Sequence, residues 1–428
     1  MLLIHGEIIE THFENKYLEG LYESCILTLN QTNPLTTEKV IRACDVLYHK
    51  VMDGEYDEVI QPVLQMSDIS QVRFESMARL FSKEELEYKC RIELGKKYPE
   101  PKPLKNGTVR RFYPLGILFH IAAGNVDGLP AYSVVEGLLT GNINILKLPA
   151  GDNGLSVRLL WELIQIEPDL KDYMYVFDVP SADLETLKKF AEIADGIVVW
   201  GGDEAVRAAR SMADVQTKII AWGHKLSFAY VTPSVSDEAL YQLAEHICET
   251  NQVLCSSCQG IFVDTKEQTV MEDIGERFFE QLKIVNSKKG KVDMGMRGRN
   301  TIRLYADMLE KDVNQRILSE EGVSVVLKSD REVELSYLFR NVWVKALPKE
   351  QLISTLKKHK NHLQTCGLLC ETAERDVLTE MLARAGVVRI TGADMSRTIP
   401  GEAHDGMYPL REYSRMVEMD EIKQNRKA

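Results

Sequence analysis

The segment Asn251-Gln252-Val253-Leu254-Cys255-Ser256-Ser257-Cys258-Gln259-Gly260 delivers a cysteine into a small, polar turn between a helical stretch and an apolar strand. A thiol placed there has several uses. Cys255 and Cys258 could form half of a zinc site, but no second pair or histidine cluster stands at ligand spacing, so no metal is expected. A thioredoxin-like redox pair would open a helix after the first strand, whereas this pair follows a helix. Buried structural thiols and a nucleophilic cysteine on a loop remain as the two main readings.

Three further segments could hold a ligand or stabilise a reacting group. The apolar strand Gly116–Ala122 runs into Ala123-Gly124-Asn125, setting small residues and one amide at the C-terminal edge of a sheet, where open α/β folds bind ligands. Asn125 could donate to an oxyanion or cap the helix that follows, and spacing leaves both open. Lys147 sits inside the apolar strand Ile143–Leu148, where its charge requires a ligand phosphate or ribose, or a strand end at the surface. Trp200-Gly201-Gly202-Asp203 reads as strand, glycine turn and helix, whose bare amides can face a pyrophosphate. That last pattern is common, and no G-x-G-x-x-G accompanies it. His224, beside a Gly-Lys turn, could donate a proton or only hydrogen-bond its loop, and His404-Asp405-Gly406 is a turn signal.

The elements that must position these residues follow from periodicity. Short apolar strands (Gly116–Ala122, Ile143–Leu148, Met174–Asp178, Gly196–Trp200, Lys218–Trp222) alternate with helical stretches (Leu129–Leu139, Leu155–Ile166, Leu184–Ala194, Glu204–Ala213). The alternation predicts a parallel sheet with helices on both faces. A second α/β unit follows, with strands at Phe228–Val231, Gly260–Asp264, Val323–Leu327, Val342–Ala346 and Val387–Ile390 and a helix at Glu238–Thr250. Residues 1–100 read as mostly helical, with Ser82 and Glu85 forming a capping box for a helix that ends near Gly95. Tyr98-Pro99-Glu100-Pro101-Lys102-Pro103 forbids helix and predicts an extended linker.

Composition limits the remaining possibilities. A chain of 428 residues holds roughly two to three domains. Its formal charge of −12, from 52 basic and 64 acidic residues, excludes a general nucleic-acid binder. No basic start followed by an apolar run marks a signal peptide, and no apolar stretch is long enough for a membrane span. The eight cysteines are too sparse for a disulfide scaffold, so reduced thiols in a cytoplasmic protein are expected.

Taken together and in this order, the segments resemble the aldehyde dehydrogenase superfamily, and most of all its acyl-CoA reductase (LuxC) branch. The resemblance runs from about Arg110 to about Met419. Its most specific parts are Asn251-Gln-Val-Leu-Cys255-Ser-Ser, Gly223-His224-Lys225-Leu226-Ser227-Phe228 and His404-Asp405-Gly406-Met407-Tyr408-Pro409-Leu410. It implies an α/β, aldehyde dehydrogenase-like fold of two doubly wound α/β domains, cofactor-binding and catalytic, with a helical N-terminal segment. The implied domains are a helical segment at 1–100 packing on the cofactor domain, an NAD(P)-binding domain at 101–226, a catalytic domain at 227–407, and a C-terminal docking and oligomerisation segment at 408–428. Cys255 then occupies the nucleophile position and Asn125 the oxyanion-hole amide, with Cys258 a neighbour. Ile121, Ala122, Lys147, Gly201, Gly202 and Gly223 fall where the superfamily holds its nicotinamide dinucleotide.

Two departures from the family pattern bear on the reaction. Hydrolytic relatives carry a glutamate base two residues before a Gly-Gly-Lys turn, where this chain has Ala221-Trp222-Gly223-His224-Lys225. Without that carboxylate, activating water on an acyl-enzyme is harder, and a thiol such as CoA becomes the exchange partner. NAD-preferring relatives place a carboxylate three residues after the strand lysine, where this chain has Ala150 and then Gly151. A 2′-phosphate meets no repulsion there, so NADPH is expected, with NADH the alternative. The implied enzyme is an acyl-CoA reductase or long-chain acyl-protein thioester reductase. It would act on an acyl-CoA or acyl-protein thioester, with an acyl-protein synthetase as partner and subunits paired through sheet edges. His404 would stand at the active-site mouth or a domain interface. The alternatives are a short-chain CoA-acylating aldehyde dehydrogenase, an acyl-phosphate reductase, and a catalytically silent partner of a synthetase.

Overall fold

Five short, mainly apolar strands become the parallel core of the first sheet in this computed structural model. The structure describes residues 1–10, 15–66, 71–105, 107–122, 128–149, 152, 154–290, 294–310, 315–396 and 401–420. The chain divides into two compact units, Met1–Gly223 with Ile399–Ala428, and His224–Thr398.

In the first unit the strands are β1 (Leu2–Ile4), β2 (Glu7–Ile9), β3 (Lys102–Pro103), β4 (Thr108–Pro114), β5 (Ile117–Ile121), β6 (Ile143–Lys147), β7 (Met174–Phe177), β8 (Gly196–Trp200) and β9 (Lys218–Trp222). One sheet has the order β2-β1-β7-β6-β5-β8-β9. Its β7-β6-β5-β8-β9 core is parallel, and the β1–β2 hairpin is added antiparallel at one side. The chain moves outward from β5 in one direction and then returns to continue from β8 in the other. That reversal puts a topological switch point between β5 and β8. Alternate residues supply two separate apolar clusters: Ile117, Phe119, Ile197 and Val199 in one, Leu118, Val198, Trp200 and Trp222 in the other. Both faces are therefore covered, as a parallel sheet requires. The helix Lys83–Glu93 begins at Ser82, whose hydroxyl accepts from the Glu85 amide.

The second unit contains β10 (Leu226–Val231), β11 (Cys258–Val263), β12 (Gln315–Glu320), β13 (Val323–Lys328), β14 (Asn341–Ala346), β15 (Leu363–Leu369) and β16 (Arg389–Thr391). Their order is β12-β13-β14-β11-β10-β15-β16, parallel except for the β12–β13 pair. Here too the residues alternate: Ala229, Val231, Ile261 and Val263 pack on one face, and Phe228, Tyr230, Phe262 and Trp343 on the other. Gly260 is required by that packing, because a Cβ there would stand 1.9 Å from the Trp343 ring. A last strand, β17 (Ser414–Asp420), pairs antiparallel with β4 in a small β17-β4-β3 sheet of the first unit. The chain's final residues, 421–428, lie outside the described residues.

Candidate active site

In the first unit, all six residues expected to hold a dinucleotide stand on one sheet edge. Ile121, Lys147, Trp200 and Trp222 end β5, β6, β8 and β9, and the register places Ile121 opposite Lys147 and Val199, and Trp200 opposite Trp222. Ala122, Gly201, Gly202 and Gly223 follow directly, so the group occupies the C-terminal edge at and beside the switch point. Asn125, Ala150 and Gly151 lie outside the described residues.

The chemistry of this edge fits an anionic, hydroxyl-bearing ligand. Lys147 is 3% exposed and its ammonium donates to Ser181 Oγ at 2.7 Å. Burial lowers its pKa, and the field of Asp178 only partly opposes that. A buried ammonium facing a hydroxyl gains from an added phosphate or ribose acceptor. Gly202 precedes the helix Asp203–Met212 with no side chain capping it, and a Cβ at Gly202 would meet nothing within 4 Å. The helix's first amides thus border open space. His404 belongs to the same unit and packs with its ring centroid 5.0 Å from both Trp200, tilted, and Trp222, edge-to-face. It is held in a tight turn by paired backbone bonds with Met407 at 2.8 Å.

In the second unit, Cys255 occupies the loop between the helix Asp237–Thr250 and β11, at the N-terminal edge of the parallel strands. The two cysteines of the segment differ sharply. Cys255 is exposed, while Cys258 is buried, its thiol donating to the Gly260 carbonyl at 3.3 Å and pushed up to about 12 by burial. Cys258 is therefore a core residue of β11. Among the described residues, no group of three or more His, Cys, Asp or Glu side chains could hold a metal ion.

The Cys255 loop is fixed by buried polar side chains that sequence reasoning did not single out. Ser227 Oγ donates to the Cys255 carbonyl at 2.6 Å and accepts from the Thr365 amide at 3.1 Å. Gln252 is 1% exposed; its Nε2 donates to the Cys258 carbonyl at 3.0 Å and its Oε1 accepts from the Asn341 amide at 3.1 Å. Gln259 Nε2 donates to the Gln252 carbonyl at 2.9 Å, and its Oε1 accepts from Ser336. His246 Nε2 accepts from the Cys258 amide at 3.2 Å, so that nitrogen carries no proton, and burial lowers the imidazole to about 4. The available signal was weak: two glutamines flanking the cysteines of a small, polar turn. Their partners lie far along the chain.

His224 and Lys225 stand just before β10. His224 meets His362 edge-to-face at 6.1 Å between ring centroids, and Lys225 donates to the Asn361 carbonyl at 2.7 Å. Because β10 begins at Leu226 opposite Leu363, this histidine pair shares the strand N-terminal edge with Cys255.

The chain matches the sequence model of a family described as acyl-CoA reductase (LuxC) over residues 33–416. It is 26% identical over 336 residues to a long-chain acyl-protein thioester reductase of Vibrio harveyi, covering 76% of this chain and 69% of the relative. Its fold is similar to methylmalonate-semialdehyde dehydrogenase from Oceanimonas doudoroffii, with a TM-score of 0.76 at 13% identity, covering 98% of this chain and 97% of that one. A Sinorhizobium meliloti protein solved in complex with NAD is similar at a TM-score of 0.71 and 12% identity, over 98% of this chain and 96% of that one. The fold is that of the aldehyde dehydrogenases, as the sequence resemblance implies.

Proposed function

This chain belongs to the acyl-CoA reductase (LuxC) family and is an oxidoreductase with the aldehyde dehydrogenase fold, and from that premise we propose that it reduces a long-chain fatty acyl thioester to the aldehyde through an acyl-enzyme on Cys255. The observation that carries this reading is the division of labour between two thiols. Cys255 is presented to solvent on a hydrogen-bonded loop, whereas Cys258 is buried with its thiol held far from ionisation at neutral pH. A redox pair needs both sulfurs accessible to exchange, and a nucleophile needs one.

The Cys255 thiolate attacks the thioester carbonyl, a carbon–sulfur bond forms, and the charge on the carbonyl oxygen is held by the Asn125 amide and the Cys255 backbone N–H. The original carbon–sulfur bond then breaks, and the carrier leaves as a thiolate. Residue 221 is alanine, so no carboxylate stands there to activate water against the acyl-enzyme. The hydride that takes the acyl carbon to the aldehyde level would come from a reduced nicotinamide dinucleotide. Cys255 departs as a thiolate, and the carbonyl re-forms as the free aldehyde. Ile121, Ala122, Lys147, Gly201, Gly202 and Gly223 would hold the dinucleotide. The uncharged Ala150 and Gly151 favour NADPH over NADH. The name of the Vibrio relative supports an acyl group carried on protein, and the family description one carried on CoA; the first makes an acyl-protein synthetase a fitting partner. Pairing of two subunits and a reducing, cytoplasmic setting belong to the same reading.

The test is NADPH oxidation with a panel of acyl-CoAs on wild type, Cys255→Ala and Cys258→Ala. The expected result is consumption with long-chain thioesters, abolished by Cys255→Ala and retained by Cys258→Ala. Turnover that survives Cys255→Ala would overturn the assignment of the nucleophile. Asn125→Ala is expected to lower turnover by ~10²–10³.

A further inference from the structure

Five non-glycine residues near the Cys255 loop have left-handed backbones, and they lie on two segments that bond to each other. Asn251 and Gln252 have φ of 46° and 63°, and Leu338, Phe339 and Arg340 have φ of 57°, 48° and 71°. Such angles are uncommon for any side chain and rarest for bulky ones. They persist where the surroundings over-determine them, and they gather at sites whose geometry is being held. Here the surroundings are plain. The Phe339 amide donates to the Asn251 carbonyl at 3.0 Å, and the Asn341 amide donates to Gln252 Oε1 at 3.1 Å. Ser336 reaches the same place through Gln259, whose amide holds the Gln252 carbonyl.

Gln252 stands at the centre. Its carbonyl, its side-chain oxygen and its side-chain nitrogen are bonded to Gln259, Asn341 and Cys258 respectively. Its own amide donates to Thr250 Oγ1 at 3.3 Å. Three residues later the chain presents Cys255, whose carbonyl is held separately by Ser227. We propose that Gln252 is the positioning residue of the nucleophile: its side chain clamps the strap Ser336–Asn341 to the start of β11 and so sets where the Cys255 thiol is presented. This rests on the reading of Cys255 as nucleophile. Gln252 itself does not touch the reacting atoms; it acts through the loop.

The geometry demands one donor and one acceptor from this side chain, which makes Gln252→Glu a discriminating replacement. The ionised carboxylate of that variant would still accept from Asn341 but would turn its other oxygen toward the Cys258 carbonyl. A protonated carboxyl supplies the donor again and reproduces the amide's pattern. Burial and the facing carbonyl raise the carboxyl's pKa above the ordinary range near 4.3, so restoration falls in an accessible window. The other titratable or charged groups packed around Gln252 do not titrate there. His246 on the preceding helix is held near 4, Cys258 on β11 near 12, and Arg340 on the strap keeps its charge.

The experiment is iodoacetamide labelling of Cys255 in the full chain, read by peptide mass spectrometry between pH 5 and 8, for wild type, Gln252→Glu and Gln252→Met. The Gln252→Glu rate, divided by the wild-type rate at the same pH, is expected to be about one tenth at pH 8, since thiol reactivity follows the thiolate fraction and access that the loop sets at Cys255. It should climb to within about twofold of wild type at pH 5. Gln252→Met, which supplies neither bond, should stay low throughout. A variant that merely unfolds would label faster and would label Cys258 too. A Gln252→Glu rate equal to wild type at pH 8, or equal recovery by Gln252→Met, would overturn the proposal. Labelling needs no turnover, so a failure here is distinct from Cys255→Ala retaining activity.

Discussion

Removing the Ser227 hydroxyl should cost more than one surface hydrogen bond, because the sheet is irregular on both sides of it. Between β10 and β15 the register passes from Leu226 opposite Leu363 to Phe228 opposite Cys366, and between β10 and β11 from Ser227 opposite Cys258 to Ala229 opposite Ile261. Each flanking strand carries one extra residue beside Ser227, a bulge that leaves a ladder group to find another partner. On β15 that group is the Thr365 amide, fully buried, and Ser227 Oγ accepts it. The same oxygen's proton goes to the Cys255 carbonyl. In Ser227→Ala the Thr365 amide loses its partner where water does not reach, about 1–3 kcal/mol, and the Cys255 carbonyl loses a bond that water can partly replace, about 0.5–1.5 kcal/mol. The sum is about 3 kcal/mol, which for a unit of this size is a fall in melting temperature of roughly 6–12 °C. Calorimetry should show that fall in the transition of the second unit, and iodoacetamide labelling of Cys255 should slow severalfold at a temperature where the variant is folded. A shift below about 1 °C with unchanged labelling would show that the hydroxyl neither caps the bulge nor holds the loop.

Acid stability should be set in part by two buried imidazoles, one in each unit. His120, bonded to Ser133 and Asn144, and His246 are each held at about 4 by burial, against the usual 6.5. The unfolded chain therefore binds their protons first as pH falls, so stability is intact above about 6.5 and declines toward pH 4, by about 1.4 kcal/mol per pH unit for each histidine. Calorimetry across that range should find the acid limb of the first unit flattened in His120→Gln and the second unit's limb unaltered; identical limbs would refute the assignment. Lys147→Met should leave the melting temperature unchanged or higher, since a buried charge is removed, while weakening NADPH binding about 10–150-fold for the loss of one charge-assisted bond. Equal dissociation constants for the two proteins would take Lys147 out of the cofactor site.

The parallel core strands of the first sheet were legible because each is a mainly apolar run of four or five residues between helical stretches. β15 was not, because Gln364 and Thr365 interrupt its apolar pattern at the place where the bulge is accommodated. The β4–β17 pair was not, because its strands are half-exposed and about three hundred residues apart, and no local signal carries such a pairing. Cys255 could be found as a thiol in a polar turn, but Gln252, Gln259 and Ser227 could not, since what they do is decided by Ser336, Asn341 and Thr365 arriving from elsewhere. The two strand lysines show the same limit most clearly. Val342-Trp343-Val344-Lys345 poses the question that Ile145-Leu146-Lys147 poses: an ammonium in an apolar run, wanting a partner. In β14 the answer is internal, for Lys345 is fully buried and bonds Asp330, Glu334 and the Glu332 carbonyl at 2.6–2.8 Å. In β6 the ammonium meets the Ser181 hydroxyl, with no carboxylate in direct contact among the described residues. One sequence signal thus has two outcomes, an ion pair that closes on itself and a charge left facing a sheet edge. Only the second has a use for a ligand, and only the folded partners tell them apart.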